Sequence, residues 1–147
     1  MGFSERAIYH DVAEDILTEF HPWLKENYFP ADQKLLSAAR RYGQTTAERL
    51  WFGTMVTGEQ FIVDEKRDKI NQKYMPLSAD METAAAAHVC YVNRIPFLSV
   101  RTVTDTAEHK GMENFDKNCE TASEISAEIV LGILEEWLGG SAPDSAR

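Results

Sequence analysis

The chain has 147 residues, of which 44% are hydrophobic and 27% charged, enough for one compact domain with a real core. Its formal net charge is −9 and it contains no basic run or stripe, which argues against a nucleic-acid partner. No apolar stretch approaches the length that spans a bilayer and the N-terminus lacks a signal peptide's hydrophobic middle, so we expect a cytoplasmic protein that does not enter a membrane.

The cysteine and histidine content restricts the chemistry further. Cys90 and Cys119 form no CxxC pattern, and no histidine stands at metal-ligand spacing. We therefore expect reduced thiols, no metal and no cofactor.

The first half of the chain is predicted to contain two strands separated by a helix. Residues 5–12 are compatible with a short strand, and an aromatic segment over residues 20–29 follows, whose rings would be costly to leave exposed. A helix begins after Asp32 and ends at Gly43, because apolar residues recur there at steps of three and four. Residues 50–56 form the next predicted strand.

The second half continues the alternation. Its predicted elements are a helix over 64–74, a strand over 77–81, an alanine-rich helix over 82–90, a strand over 97–104 and a helix over 120–138. The last helix carries an apolar stripe at helical spacing, made of Ala122, Ile125, Ile129, Ile133 and Trp137. Residues 139–147 are expected to form a disordered tail.

This alternation indicates a single α/β domain over residues 1–147, without an internal repeat or a linker. We expect Met55, Met81 and Val103 to lie on neighbouring strands of one sheet. Because ligands of α/β sheets collect where strands end, the strand ends are the place to look for a site.

Two carboxylates stand at comparable points in the sequence. Glu82 directly follows the strand that ends at Met81, and Asp105 follows an apolar strand that ends at Val103-Thr104. After a third strand, Phe61 places an aromatic ring at the same rim. A ring can stack on a purine, one carboxylate can accept hydrogen bonds from two ribose hydroxyls, and another carboxyl can protonate a departing base, so the combination suggests a nucleoside pocket.

Each of these residues also has a simpler interpretation. Asp105 alone would only cap a turn, and Met81 would fill the core. His88 is expected to be packed or hydrogen-bonded within its helix rather than catalytic. Arg101 is expected to pair with a buried carboxylate, with phosphate binding as the alternative.

Three stretches resemble a known family. VTGEQFI, SADMETAAAAHVCYVNRIPFLSVRTVTD and ENFDKN are similar to the nucleoside phosphorylase and nucleosidase superfamily, and most closely to the 5'-methylthioadenosine/S-adenosylhomocysteine nucleosidases. The resemblance runs from about residue 7 to residue 137. Its most specific part is the pairing of Met81-Glu82 with Thr104-Asp105, whose carboxylates are 23 residues apart.

The resemblance implies a role for each matching position. Asp105 would be the general acid that protonates N7 of adenine, and Glu82 would hold the ribose 2'- and 3'-hydroxyls beside Met81. The other implied substrate-binding residues are Phe61, which would stack on the base, Ile62, whose backbone would meet the edge of the base, Thr104, and Phe115, which would close over the ligand.

The resemblance also implies a fold, an activity and an assembly. The fold would be a three-layer α/β structure with a mixed central sheet flanked by helices. The activity would be hydrolysis of the N-glycosidic bond of 5'-methylthioadenosine and S-adenosylhomocysteine, releasing adenine, a step of methionine salvage. The enzyme would be a homodimer, and its partner would be a small-molecule nucleoside.

The chain departs from the family pattern in several places. Asp80, Thr104 and Glu59 replace the family's usual Glu, Ser and Asp. The family's N-terminal part, with the first strands and the Glu that activates water, has no counterpart here, so we expect the chain to correspond to the C-terminal part of a nucleosidase. Two alternatives stay open: a purine nucleoside phosphorylase, and a non-catalytic nucleoside-binding or assembly fragment.

Overall fold

The computed structural model describes residues 1–21, 23–60, 62, 64–103 and 112–139, with only the backbone for 64–65 and 112–118. Three predicted site residues, Phe61, Thr104 and Asp105, lie outside the described residues, as do tail residues 140–147. The backbone of Phe115 is described, and its side chain is not.

Five strands and five helices are present among the described residues. In chain order they are β1 (Gly2–Tyr9), α1 (Ile16–Phe20), β2 (Phe29–Pro30), α2 (Gln33–Tyr42), β3 (Trp51–Thr57), α3 (Asp64–Tyr74), β4 (Ser78–Asp80), α4 (Thr83–Val92), β5 (Val100–Arg101) and α5 (Met112–Gly139). The predicted strands and helices are all present, and α3 has the predicted bounds. The short elements α1 and β2, between β1 and α2, are not predicted by the sequence.

The sheet is mixed, as expected. Strand β1 pairs in parallel with β3, and β3 pairs in parallel with β4. Strands β2 and β5 both pair antiparallel with β1, with Ala7 opposite Phe29 and Phe3 opposite Val100. A register shift between Ser4 and Arg6 interrupts the β1–β3 ladder. The fold class is therefore an open mixed sheet flanked by helices.

The expectation that three strands are neighbours is right for β3 and β4 and wrong for β5, which pairs with β1. Ser4 explains this placement. Its N–H donates to the carbonyl of Ser99 at 3.1 Å, and its hydroxyl accepts from the N–H of Ser99 at 2.9 Å. The segment before β5 is thereby fixed to β1, and β1 and β3 separate β5 from β4 in the sheet.

Several predicted boundaries also change, and β1 spans Gly2–Tyr9 rather than residues 5–12. Strand β5 contains only Val100–Arg101 rather than 97–104, because the carbonyl of Phe97 accepts from the N–H of Asp32 at 2.8 Å and Ser99 bonds to Ser4. The hydrogen bonds of Phe97 and Ser99 are therefore not part of a strand-to-strand ladder. Helix α5 begins at Met112, eight residues before the predicted start at Glu120.

The helices cover the sheet through three apolar clusters. Helices α2 and α5 enclose a cluster with the buried residues Phe3, Ala38, Ala39, Ile129 and Ile133. The predicted stripe of α5 is confirmed, since Ala122 is also buried and Ile125 and Trp137 pack against this cluster. Helices α1 and α4 share a second cluster with β1 and β2, and α3 contributes Ile70 to a third with Ile8 and Val56.

Local sequence explains where α2 begins. The carboxylate of Asp32 accepts from the N–H groups of Lys34 and Leu35, each at 2.9 Å, and so satisfies two amides of the first turn. Gly43 is the C-cap residue, as predicted. Among the described residues, no helix combines the length and apolar character needed to cross a membrane.

The contact between α2 and α5 leaves no room for a side chain at Gly132. A Cβ built there would lie 2.2 Å from the ring of Tyr42. We expect Gly132→Ala to lower the free energy of unfolding by about 1 kcal/mol, because overpacking costs about 1–3 kcal/mol and the gain in helix propensity returns about 1 kcal/mol. Denaturant titration measures this.

Gly139 provides the matched control on the same helix, since no atom of the described residues lies within 4 Å of its virtual Cβ. Gly139→Ala is expected to leave stability unchanged or slightly raised. Equal stability of the two alanine variants would contradict the close contact with Tyr42.

A pair of histidines joins α1 to α4. The Nε2 atoms of His21 and His88 are 2.9 Å apart, so one ring donates to the other, and His88 stacks on Phe29 with ring centroids 4.7 Å apart. The prediction that His88 is packed and hydrogen-bonded agrees with this geometry. Burial, and secondly the charge of His21, lower the pKa of His88 below its usual value.

This pair predicts an acid-sensitive stability. A histidine whose pKa is lowered in the folded state binds fewer protons than in the unfolded chain, so its contribution is complete above about pH 6.5 and is lost as the pH falls through the lowered pKa. Unfolding titrations between pH 5 and 8 should show a decline in acid that is weaker in His88→Gln. An identical pH dependence in both proteins would refute this explanation.

Candidate functional site

The candidate site lies where β3 and β4 end and α4 begins. Asp80, the last residue of β4, has a side chain only 8% exposed. Its Oδ1 accepts from the hydroxyl of Thr57 at 2.7 Å, and its Oδ2 accepts from the hydroxyl of Thr83 at 2.5 Å. A buried carboxylate needs such donors, because leaving it unpaired away from water is costly.

The same two strand ends satisfy the first amides of α4. The N–H groups of Glu82 and Thr83 donate to Asp80 Oδ1 at 3.1 and 2.8 Å, and the N–H of Ala84 donates to Thr57 Oγ1 at 2.8 Å. Helix N-termini leave such amides without intrahelical partners. A negative charge at this end of α4 also interacts favourably with the helix dipole. The position of α4 is thereby fixed relative to the sheet.

Arg101 connects β5 to this corner. Its Nη2 donates to Glu82 Oε2 at 2.9 Å and its Nε donates to Thr83 Oγ1 at 3.2 Å. Its Nε also lies 3.8 Å from Asp80 Oδ2. The prediction that Arg101 pairs with a buried carboxylate is confirmed. Although β4 and β5 are not neighbours in the sheet, this side chain brings their ends together.

Glu82 and Met81 both reach the surface at the start of α4. The side chain of Glu82 is 66% exposed, and one of its oxygens is held by Arg101. Met81 is 46% exposed, so the interpretation of Met81 as core filling is not supported. An anchored carboxylate that faces solvent can accept hydrogen bonds from a pair of hydroxyls.

The turn after β3 is held by the end of β1. The carboxylate of Asp11 accepts from the N–H of Glu59 at 2.7 Å, and the N–H of Gly58 donates to the carbonyl of Asp80 at 3.1 Å. Burial, followed by the charges of Glu59 and Asp11, raises the pKa of Tyr9, the last residue of β1. The turn that leads toward residue 61 is therefore fixed to both neighbouring strands.

The predicted site residues are only partly placed. Met81 and Glu82 stand together at the start of α4, while Ile62 directs its side chain to a cluster with Ile8, Val56 and Ile70. The proposed contact between the Ile62 backbone and a base stays a prediction. Four further roles also stay predictions, because they concern residues or side chains that the structure does not describe: Phe61, Thr104, Asp105 and the side chain of Phe115.

Sequence reasoning missed the network beneath Glu82. Thr57 and Thr83 were given no role, and Asp80 was noted only as a departure from a family pattern. The available signal was positional, since both Thr57 and Asp80 end strands that stop at the same edge of the sheet. Within the described part of the chain, no group of three His, Cys, Asp or Glu side chains could hold a metal ion.

Comparison with known proteins identifies the family. The sequence profile of the phosphorylase superfamily matches residues 3–135, which is most of the chain. The chain belongs to the phosphorylase superfamily.

Two similar proteins of known name are nucleosidases. The 5'-methylthioadenosine/S-adenosylhomocysteine nucleosidase of Actinobacillus succinogenes is 34% identical over 110 residues, covering 74% of this chain and 48% of that protein. The enzyme of the same name from Geobacillus thermodenitrificans is 31% identical over 137 residues, covering 89% and 58%. This chain thus spans about half the length of the curated relatives it matches.

Solved structures agree with the superfamily fold. The Campylobacter jejuni 5'-methylthioadenosine/S-adenosylhomocysteine nucleosidase superposes with a TM-score of 0.78 at 28% identity, covering 92% of this chain and 60% of that one. The S-adenosylhomocysteine nucleosidase of Streptococcus pyogenes, in complex with 5-methylthiotubericidin, gives 0.77 at 25% identity, covering 91% and 58%. The predicted family resemblance is confirmed.

Gly58 tests the packing of the β3 turn. A Cβ at this position would lie 2.2 Å from His10 Nε2 and 2.8 Å from Asp11 Oδ2. We expect Gly58→Ala to displace the His10-Asp11 segment and to lower the free energy of unfolding by about 1–3 kcal/mol. Urea titration gives the value.

Gly53, which lies within β3, is the control, because among the described residues its virtual Cβ meets Leu77 alone, at an ordinary 3.5 Å. Gly53→Ala should cost less than Gly58→Ala. The packing argument is wrong if the order is reversed.

Proposed function

We propose that this chain is the part of a purine nucleosidase that binds adenine and ribose, and that it serves to hydrolyse the N-glycosidic bond of 5'-methylthioadenosine and S-adenosylhomocysteine. The names of the relatives support this substrate class. The single observation that carries the proposal is the carboxylate of Glu82, which is exposed beside Met81 and held at one oxygen by Arg101.

Glu82 is suited to hold a ribose. Its bond with Arg101 occupies Oε2, and its exposed side chain lets two neighbouring hydroxyls donate to it. Such hydrogen bonds strengthen as the sugar acquires oxocarbenium character. Glu82 would thus bind the substrate and stabilise the transition state.

Asp105 is proposed as the general acid. Adenine departs readily only if a ring nitrogen is protonated, and the family resemblance supports protonation of N7 as the role of this carboxyl. An ordinary aspartate, with a pKa near about 3.9, is a weak acid at neutral pH, so the proposal requires surroundings that raise the pKa of Asp105. Thr104, Phe61, Ile62 and Phe115 complete the proposed binding set.

Hydrolysis is favoured over phosphorolysis. The relatives named above are nucleosidases. In addition, the N–H groups of Glu82, Thr83 and Ala84 at the start of α4 are already bonded to Asp80 and Thr57, so these three amides are not available to a phosphate. Water is therefore the proposed nucleophile.

The setting of the activity follows from the same proposal. We place the protein in the cytoplasm, in methionine salvage, as a homodimer. Acidic composition and the absence of any basic stripe support a small-molecule partner rather than nucleic acid.

The test is release of free adenine from 5'-methylthioadenosine, in reactions with and without phosphate. Chromatography measures the products. The wild-type chain should release adenine and 5-methylthioribose in both conditions. Asp105→Asn should lower kcat by at least about 100-fold, because a general acid contributes about 10²–10⁴-fold. Glu82→Gln should raise KM by about tenfold through a weaker hold on the ribose, and it should also lower kcat, because these hydrogen bonds strengthen in the transition state.

Two exposed carboxylates provide matched controls, Asp68 in α3 and Glu128 in α5. Asp68→Asn and Glu128→Gln should leave both constants unchanged. Full activity of a folded Asp105→Asn protein would rule out the proposed acid. Binding of 5'-methylthioadenosine without any release of adenine would instead favour the non-catalytic nucleoside-binding fragment.

A further inference from the structure

The side chain of Glu82 is not held in one orientation by α4 alone. Its side chain is 66% exposed, and α4 gives it no side-chain capping bond, so α4 alone leaves the carboxylate free to change rotamer. A ligand that needs one orientation would then have to order the carboxylate at a cost in affinity. The contacts behind Glu82 supply a fixed orientation instead.

Among the described residues, Arg101 is the side chain that binds the carboxylate of Glu82. Its guanidinium has a rigid planar fork, so fixing Nε also fixes the direction in which Nη2 points. Nε donates to Thr83 Oγ1 at 3.2 Å, and Nη2 donates to Glu82 Oε2 at 2.9 Å. The orientation of Thr83 therefore decides where Arg101 holds Glu82.

The hydroxyl of Thr83 is itself oriented. It has one proton, which it donates to Asp80 Oδ2 at 2.5 Å, because an ionised carboxylate can only accept. The lone pairs of Oγ1 are then left for Arg101 Nε and for Ser99 Oγ, which is 3.3 Å away. Thr83 is 2% exposed, so water does not compete for this hydroxyl.

We propose that Asp80 and Thr83 are positioning residues, which act through Arg101 to hold the carboxylate of Glu82 in the orientation that receives the two ribose hydroxyls. This inference rests on the proposed function. It adds to that function two residues that do not contact the substrate. The buried carboxylate fixes the hydroxyl, the hydroxyl fixes the guanidinium, and the guanidinium fixes Glu82.

Thr83→Val is the most direct variant, because it keeps the shape of the side chain and removes the hydroxyl. KM for 5'-methylthioadenosine should rise by about tenfold, while kcat changes by less than about threefold, since ordering of a ground-state contact is lost. Thr83→Ser keeps the hydroxyl and should behave like the wild type. Arg101→Lys, at a half-exposed site, loses the fork and should raise KM as Thr83→Val does.

Thr54 is a close structural match for the control. It is also a buried threonine, 7% exposed, whose hydroxyl accepts from an arginine Nε, that of Arg6, at 2.8 Å. Thr54→Val breaks a comparable bond on β3, and no contact links it to Glu82 in the described network. It should leave KM unchanged. A rise in KM with Thr54→Val equal to that with Thr83→Val would show a general packing effect and overturn the proposal.

A double-mutant cycle tests whether Thr83 acts through Glu82. Thr83→Val should raise KM in the wild-type background and have almost no further effect in Glu82→Gln, because the group being positioned is already impaired. Additive effects of the two substitutions would contradict the proposal.

The Nε–H resonance of Arg101 gives a readout that needs no activity. In the wild type this proton should exchange slowly with water; Thr83→Val and Asp80→Asn should make it exchange fast, and Thr54→Val should not. If the wild type releases no adenine, the proposed function fails. These spectra still show whether Asp80 and Thr83 hold Arg101 in place. Unchanged exchange in Thr83→Val would overturn the proposal whether or not the protein is active.

Discussion

The carboxylate of Asp80 is the interaction on which this site depends. It is buried at the end of β4, and its two oxygens accept from Thr57, from two amides of α4 and from the hydroxyl of Thr83. These bonds join two strands and a helix at one point. The anion offsets its own desolvation cost by satisfying amides that α4 could not satisfy internally. The start of α4, with Met81 and Glu82, is placed by this one group.

The network also explains how separate parts of the sheet serve one site. Strand β5 pairs with β1 through the contacts of Ser4, and β1 and β3 stand between β5 and β4. Arg101 crosses that separation with its side chain. A mixed sheet with a topology that spreads its strand ends can therefore still bring charged groups together, and the phosphorylase superfamily fold is compatible with a site assembled in this way.

The sequence predicted those features that depend on local patterns. The spacing of Leu35, Leu36, Ala39 and Tyr42, the capping Asp32 and the stripe on α5 each gave a correct helix, because periodicity and caps act within a few residues. The placement of β5 was wrong, because pairing depends on the distant Ser4. Glu82 and Asp105 were singled out because each follows a predicted strand, and a resemblance gave them their roles. The role of Thr57 depends on a contact with Asp80 across 23 residues, which no local pattern encodes, and Thr83 also bonds to the distant Arg101.

The most direct measurement is a crystal structure of the chain with 5'-methylthioadenosine or a non-hydrolysable analogue bound. The account predicts that both ribose hydroxyls contact Glu82 while Arg101 keeps its bond to Oε2, and that Asp105 meets N7 of the adenine. A nucleoside bound elsewhere, or a Glu82 carboxylate turned away from the sugar with Asp105 on the opposite side of the molecule, would contradict it.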